Sequence, residues 1–539
     1  MKTPGHLLTE IVKNYSGVTQ LPFNLLMPLA GLIVSITILI SCSGTTGTGI
    51  RYSVKTESGM ISGIPGIDTS IMVFKGIPFA APPIGDLRWK APQSPIAWKG
   101  IRKANEYCKP CIQNLTLSNL PWTEEYMPQS ESDEDCLSLN IWTPAKHPGE
   151  KLPVLVSIPG GAFTGGSGDV KVYNGEGLAK KGIIVVTVNY RVGVLGFLAL
   201  PELTAESPNS SSGNYGLLDQ VAALSWVKRN IIEFGGDPEN VTVSGQSAGA
   251  QSVYFLTASP LARGLFQRAI AESSPYSSRS KNLSRNIAEK TGQHLMDTLG
   301  VKTLKELRAI PAKELHKKAN SFNLRFGPVV DGWFLPEDVT AIYSEGRQND
   351  TPLLTGLNAD EGSSGSSYGK MPLKEYKERV ARQWGDMAGR FLKLYPLSTE
   401  AESEAAQKQS SRDAGLANMY TWAHTRAITS KTPEFNYFFE RVTPWPEFPQ
   451  YGAFHSSEIP YVFRNQHLLN RPWVETDRKL SDLMSTYWIN FIKTGNPNGA
   501  GLPDWSPAAD SMVRFNESSK ADAILPKDKL EFYLDASKR

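Results

Sequence analysis

One stretch of the chain combines the residue types that covalent catalysis needs. Val241-Thr242-Val243-Ser244 is rich in β-branched residues and runs into Gly245-Gln246-Ser247-Ala248-Gly249, with small, helix-compatible residues after it. Gly-x-Ser-x-Gly between a strand and a helix reads as a nucleophile elbow. The turn is so tight that a side chain at either glycine would clash, and the serine at the apex is held in a strained conformation that exposes its hydroxyl. The helix behind it directs N–H groups and a positive dipole end toward that hydroxyl. The five residues alone recur by chance in glycine-rich chains, where the alternative is a turn with a solvated serine. The rest of the chain has to decide.

A serine hydroxyl is a poor nucleophile until a base takes its proton, and the base needs a carboxylate to fix its tautomer and stabilise its charge. After a strand–turn–helix elbow the expected chain order is serine, acid, histidine. Of the seven histidines, five come after Ser247: His294, His316, His424, His455 and His467. Four of these read as surface or packing residues. His294 and His316 sit in charge-rich helical stretches, His424 in a predicted helix, and His467 after Arg464-Asn465-Gln466. His455 differs, because it lies in the small-residue loop Tyr451-Gly452-Ala453-Phe454-His455-Ser456-Ser457 shortly after a strand, where α/β folds place catalytic groups. For the acid, Leu357-Asn358-Ala359-Asp360-Glu361-Gly362 offers two adjacent carboxylates at a strand end. Their side chains point in different directions, so only one can face the histidine, and the residues themselves do not choose between Asp360 and Glu361.

A third requirement is a place for the negative charge of a tetrahedral intermediate. Ile158-Pro159-Gly160-Gly161-Ala162-Phe163-Thr164-Gly165-Gly166 comes directly after an apolar run, and its small residues let backbone N–H groups approach a developing oxyanion. No Lys-Ser/Thr succeeds the glycines, which argues against a phosphate-binding loop, and no dinucleotide fingerprint opens a strand–helix unit. Cys108-Lys109-Pro110-Cys111 has the spacing of a redox or zinc pair, but no second CxxC or His pair accompanies it, so a metal site is not expected.

The elements that must position these groups are legible as a pattern. Leu152 to Ile158 and Ile183 to Val188 are near-continuous apolar runs, as in strands buried on both faces. Leu137 to Trp142 alternates, Leu217 to Phe234 is helical, and Gly235-Gly236-Asp237-Pro238 stops it just before the elbow strand. Further strands are expected at Pro352–Gly356 and Phe435–Val442, and an amphipathic helix from Leu480 to Ile492. Strand and helix alternation with apolar strands predicts an α/β protein with a large, mostly parallel sheet wrapped by helices. Short strand-like segments at Tyr52–Val54, Gly59–Gly63 and Ser70–Phe74 suggest a small N-terminal antiparallel sheet. The prolines between Gly76 and Trp89 predict a rigid extended segment.

Composition bounds the partners. With 56 basic and 53 acidic residues in 539, the net charge is +3, which argues against nucleic acid. The N-terminus reads as a targeting segment: Lys2 and Lys13, the apolar run Leu25 to Ile40, then Leu39-Ile40-Ser41-Cys42 and a Ser/Gly/Thr tract. A cysteine after Leu-x-Ser resembles a bacterial lipobox, in which Cys42 becomes the lipidated first residue. The expectation is a signal region over residues 1–42, a tether over 43–50 and one catalytic domain over 51–539, exported and anchored to a bacterial membrane by lipid. The alternatives are plain secretion or a retained anchor. Translation from Met27 would remove both lysines.

Laid in order, these segments resemble the type-B carboxylesterases, the cholinesterase-like branch of the α/β-hydrolases. The resemblance runs from about Tyr52 to Tyr533 and rests on Gly76-Ile77-Pro78-Phe79-Ala80, Glu134-Asp135-Cys136-Leu137-Ser138-Leu139-Asn140-Ile141-Trp142, Gly160-Gly161-Ala162-Phe163, Asn189-Tyr190-Arg191, Gly213-Asn214-Tyr215-Gly216, Gly245 to Gly249, Asp360-Glu361-Gly362, His455 with Glu458-Ile459-Pro460, and Thr494-Gly495-Asn496-Pro497. It implies an α/β-hydrolase fold with helical insertions and a cofactor-free serine hydrolase acting on small-molecule carboxylic esters. It implies Ser247 as nucleophile, His455 as base and then acid, and Glu361 rather than Asp360 as the orienting carboxylate. The oxyanion hole would come from the N–H groups of Gly161, Ala162 and Ala248. A disulfide would join Cys136 to Cys111, leaving Cys108 free, although Cys108 is close enough to substitute. Gln246 stands where such proteins often carry Glu, which argues against a choline-ester specialist, and Pro159 where His or Tyr is common. The competing functions are a non-catalytic adhesion or scaffold protein on the same fold, and an amidase or carbamate hydrolase using the same site.

Overall fold

The computed structural model describes residues 53–115, 119–273 and 283–538. The expected signal region, the tether and Cys42 lie outside them. Among the described residues, no helix is long and apolar enough to cross a membrane.

Among the described residues the central sheet has eleven strands. In chain order they are β1 (Ile64–Pro65), β2 (Met72–Pro78), β3 (Ser138–Thr143), β4 (Leu152–Ile158), β5 (Ile184–Val188), β6 (Gly236–Gln246), β7 (Arg268–Glu272), β8 (Leu353–Asn358), β9 (Glu434–Phe439), β10 (Ser511–Phe515) and β11 (Lys520–Ala523). Across the sheet they run β11-β10-β9-β8-β7-β6-β4-β5-β3-β2-β1. The seven from β10 to β5 are parallel, and the edges are antiparallel. Parallel strands covered by helices on both faces have no solvent side and are mostly apolar, and every residue of β5, β8 and β9 is buried. β3 is also fully buried, although its sequence alternates. Its polar members are satisfied internally: Asn140 donates to the Gly168 carbonyl and to Thr187 Oγ1, and accepts from the Gly76 N–H.

The N-terminal strands divide differently from the pattern expected. Ser53–Thr56 pairs antiparallel with Gly59–Ser62, but the third place in that sheet goes to Ile101–Lys103, parallel to Gly59–Ser62. The segment after Ser70 instead enters the central sheet as β2, antiparallel to β3 with a register shift between Phe74 and Ile77. Met72, Val73, Phe74 and Ile77 are all buried, which a strand with one solvated face could not achieve. The Gly76–Pro78 stretch is therefore strand, and the proline-rich irregular segment begins only beyond Pro78.

Four helices hold the site in place: α1 (Tyr215–Asn230), α2 (Ala248–Ala258), α3 (Glu400–Thr429) and α4 (Glu475–Thr494). α3 begins with a reciprocal cap in which Thr399 Oγ1 accepts from the Glu402 N–H and Glu402 Oε2 from the Thr399 N–H. α4 ends at Gly495, whose φ of 81° closes the last turn. α1 carries the fully buried Asp219, which grips Arg191 through both oxygens at 2.8 and 2.7 Å and accepts the Arg191 N–H at 3.0 Å. This fixes the loop after β5 to the helix packed beside the elbow strand.

β6 passes directly into α2 at Ser247. A Cβ on Gly249 would stand 2.1 Å from the Ile158 carbonyl oxygen at the end of β4, and one on Gly245 would stand 2.3 Å from the Gly249 carbonyl. Both contacts are with backbone, so neither can be relieved by turning a side chain. Gly249→Ala is therefore expected to destabilise the protein by about 1–3 kcal/mol through overpacking. Urea unfolding checks this, and an unchanged midpoint would contradict the packing described.

Candidate active site

Ser247 sits at the β6–α2 junction with φ 59° and ψ −123°, outside the helical and extended regions. Its N–H donates to the Glu272 carbonyl at the end of β7, 2.9 Å away, and its own carbonyl accepts the first helical bond, from the Gln251 N–H at 3.0 Å. The N–H groups of the first turn of α2, beginning with Ala248, have no partner four residues back and point toward the mouth of the turn. They supply a donor and a positive dipole end beside the serine.

The glycine loop after β4 lies against this turn. A methyl on Gly160 would stand 3.1 Å from Ser247 Cβ. The loop then turns sharply: Gly161 has φ 124°, Ala162 φ 55° and Phe163 φ 59°. Its shape is imposed from outside. Tyr190 donates its hydroxyl to the Pro159 carbonyl at 3.2 Å, and Phe163 packs on Phe197 and Phe255. Gln113 clamps both backbone groups of Gly166, accepting its N–H at 2.8 Å and donating to its carbonyl at 3.0 Å. Gln113 is itself held near the core by the disulfide between Cys111 and Cys136, and Cys108 is a free thiol.

The two carboxylates after β8 separate cleanly. Glu361 Oε2 makes a short contact with His455 Nδ1, while its Oε1 accepts the Asn358 N–H at 2.8 Å. Asp360 turns the other way. Its Oδ1 accepts from Arg412 on α3 at 2.6 Å and from the Tyr368 hydroxyl at 2.9 Å, and its Oδ2 accepts the Ala453 N–H at 3.0 Å. Asp360 thus ties the acid loop to the histidine loop, two residues before His455. The other imidazole nitrogen, Nε2, lies 3.4 Å from the Gln246 side-chain amide, beside Ser247. Trp122 donates its indole N–H to the His455 carbonyl at 3.0 Å and packs edge-on against the ring. Burial disfavours the charged imidazole, but the Glu361 carboxylate outweighs it through its charge and hydrogen bond, so the pKa of His455 is raised.

Beneath this face lies a group of buried polar residues that motif reading passes over. Glu458, three residues after His455, is fully buried; its Oε1 accepts from the Ser273 hydroxyl at 3.1 Å, and its Oε2 makes a short contact with the Asn358 amide. Glu272 accepts the indole N–H of Trp488 on α4 at 2.8 Å. Burial pushes both carboxyls up, with Glu361 adding to the shift at Glu458 and Glu458 to that at Glu272. Glu458 falls inside a motif by which the chain can be recognised, but nothing in one sequence marks its burial. His294 and His467 make no contact with the group, and His316 bonds Asn114 and Asn320 elsewhere. Among the described residues, no cluster of His, Cys, Asp or Glu is arranged to hold a metal ion.

A serine on a strained elbow, an imidazole joined to a carboxylate and a strand-end glycine loop define an α/β-hydrolase. The chain belongs to the carboxylesterase family, which it matches over residues 51–533, and is a carboxylic-ester hydrolase. It is 38% identical over 470 residues to fumonisin B1 esterase of Sphingopyxis macrogoltabida, covering 84% of this chain and 83% of that one. Para-nitrobenzyl esterase of Bacillus subtilis is 36% identical over 502 residues, with 88% and 95% covered. A solved carboxylesterase of Geobacillus stearothermophilus superposes with a TM-score of 0.75 at 33% identity, over 90% of this chain and 100% of that one.

Were His455 to act as the general base it would have to be neutral to accept a proton, and activity would rise with pH through its pKa, with the midpoint above the usual histidine value of about 6.5. Glu361→Gln removes the group that raises that pKa and leaves burial to lower it. The acid limb of the kcat/KM profile should therefore move to lower pH, while kcat falls about 10²- to 10⁴-fold. A pH–rate series on the two proteins checks both, and an acid limb that stays in place would contradict the assignment of Glu361 as the partner of His455.

Proposed function

We propose that ester cleavage proceeds through an acyl-enzyme on Ser247. His455 Nε2 takes the Ser247 proton as the oxygen attacks the ester carbonyl. The N–H groups of Gly161, Ala162 and Ala248 receive the oxyanion, and Glu361 fixes the imidazole and stabilises its charge. The C–O bond to the alcohol then breaks, and His455 returns the proton to the leaving oxygen. Water attacks the acyl group next, losing its proton to His455, and frees the acid and Ser247. The observation that carries this reading is the Glu361–His455 contact, with the other imidazole nitrogen 3.4 Å from the side-chain amide of Gln246, the residue before Ser247. No cofactor enters the scheme. Ser247, Glu361 and His455 together with the glycine loop after β4 support this reading over an adhesion or scaffold role on the same fold.

Gln246 is neutral and buried beside the imidazole, so this position offers no charge to attract a cationic alcohol, which argues against a choline-ester specialist among small-molecule ester hydrolases. The sequence Leu39-Ile40-Ser41-Cys42 supports export with Cys42 as the lipidated residue and residues 51–539 as one catalytic domain.

Ser247→Ala should retain the wild-type fold and lose hydrolysis of p-nitrophenyl butyrate by about three orders of magnitude or more. Turnover within about tenfold of wild type would overturn the assignment. In a bacterial host, labelled palmitate should enter the wild-type protein and not Cys42→Ser; equal labelling would refute lipidation at that residue.

A further inference from the structure

A cavity of about 380 Å³ is walled by Thr123, Glu124, Glu125, Trp445, Asn470 and Arg471 among others. Residues next to its wall touch the histidine loop. Trp122, which bonds the His455 carbonyl, immediately precedes Thr123, and Phe454, the residue before His455, packs on Tyr126 at 6.0 Å.

Arg471 is the unusual member of this wall. It is 9% exposed, and its guanidinium lies 3.7 Å from the centre of the Trp445 ring and 5.9 Å from that of Phe454. Both terminal nitrogens, Nη1 and Nη2, are shut away from water without an acceptor. A guanidinium stays charged at any ordinary pH, and a buried one is normally matched by a carboxylate or carbonyl. Stacking on an aromatic face offsets part of the desolvation but leaves the N–H groups unmet. Nearby acids do not fill the role. Glu124 is committed to Lys171 at 3.2 Å; Glu125 and Glu447 act on Arg471 only through their fields, and Glu125 Oε2 is itself buried without a donor. Behind the cavity wall lie two donors and one acceptor that no hydrogen-bond partner among the described residues meets.

We propose that this cavity binds a carboxylate carrying a neighbouring hydroxyl or ammonium group. The carboxylate would take both terminal nitrogens of Arg471, after a turn of the guanidinium toward the cavity, and the hydroxyl or ammonium would meet Glu125. Planar two-point recognition of a carboxylate is what arginine provides and lysine does not. The inference rests on the esterase reading, since its setting next to His455 makes the acid-bearing end of an ester substrate the natural source. A free acid acting as an effector has the same chemistry.

The test compares kcat/KM for the p-nitrophenyl monoester of glutaric acid with that for p-nitrophenyl butyrate, in wild type, Arg471→Gln and Arg471→Lys. The acid-to-neutral ratio is expected to fall about tenfold in Arg471→Gln and by a smaller factor in Arg471→Lys. L-malate should inhibit the wild type and lose that effect in either variant. Competitive inhibition assigns the carboxylate to the substrate, and a change in maximal rate assigns it to a free effector. An acid-to-neutral ratio in folded Arg471→Lys equal to that of wild type, together with L-malate inhibition that is absent from wild type or undiminished in Arg471→Lys, would overturn the proposal, even if Arg471→Gln fails to fold. Failure of wild type to hydrolyse the butyrate ester would instead refute the esterase reading itself.

Discussion

At residue 249 the space that a methyl group would occupy is already taken by the carbonyl oxygen of Ile158. That close approach of backbone to backbone is the constraint on which the remaining structure depends. It presses the start of α2 onto the end of β4, leaving Ser247 no room to adopt ordinary helical or strand geometry. The strained turn is pinned on its other side by the Ser247 N–H bond to the Glu272 carbonyl. Elbow and glycine loop rise from adjacent strand ends, close enough that a methyl on Gly160 would stand 3.1 Å from Ser247 Cβ.

The second organising feature is electrostatic. Three carboxyl groups, Glu361, Glu458 and Glu272, crowd beneath one imidazole, and each disfavours ionisation of the next. Asn358 stands between the first two, giving its backbone N–H to Glu361 and its side-chain amide to Glu458. Burial raises the pKa of both deeper carboxyls, and the charge of a neighbouring carboxylate adds to each shift. Asp360 is excluded from this group by Arg412 and serves as a tether, so neighbouring acids in the chain have opposite tasks set by what each side chain meets.

Much of this is legible in the sequence because it is local. Apolar runs such as Leu152–Ile158 must be buried strands, Gly-x-Ser-x-Gly needs only its flanks, and a loop histidine after a strand stands apart from helical ones. What the sequence does not carry is the partner across a long chain separation. The choice between Asp360 and Glu361 depends on Arg412, some fifty residues later on a helix whose periodicity says nothing of its neighbours. The clamp from Gln113 onto Gly166 and the bond from Trp488 to Glu272 are likewise matters of tertiary placement. Ser70–Phe74 reads as part of a small surface sheet because strand patterns do not name the strand beside them. Arg471 gives no signal at all in sequence, since burial without a partner is a property of the fold alone.

The most direct test of the central claim is to trap the intermediate. Protein treated with a fluorophosphonate, digested and mapped by mass spectrometry should carry one adduct on the peptide containing Ser247, and prior incubation with an ester substrate should slow its formation. An adduct on another serine, or none in protein that is hydrolysing ester, would contradict the account.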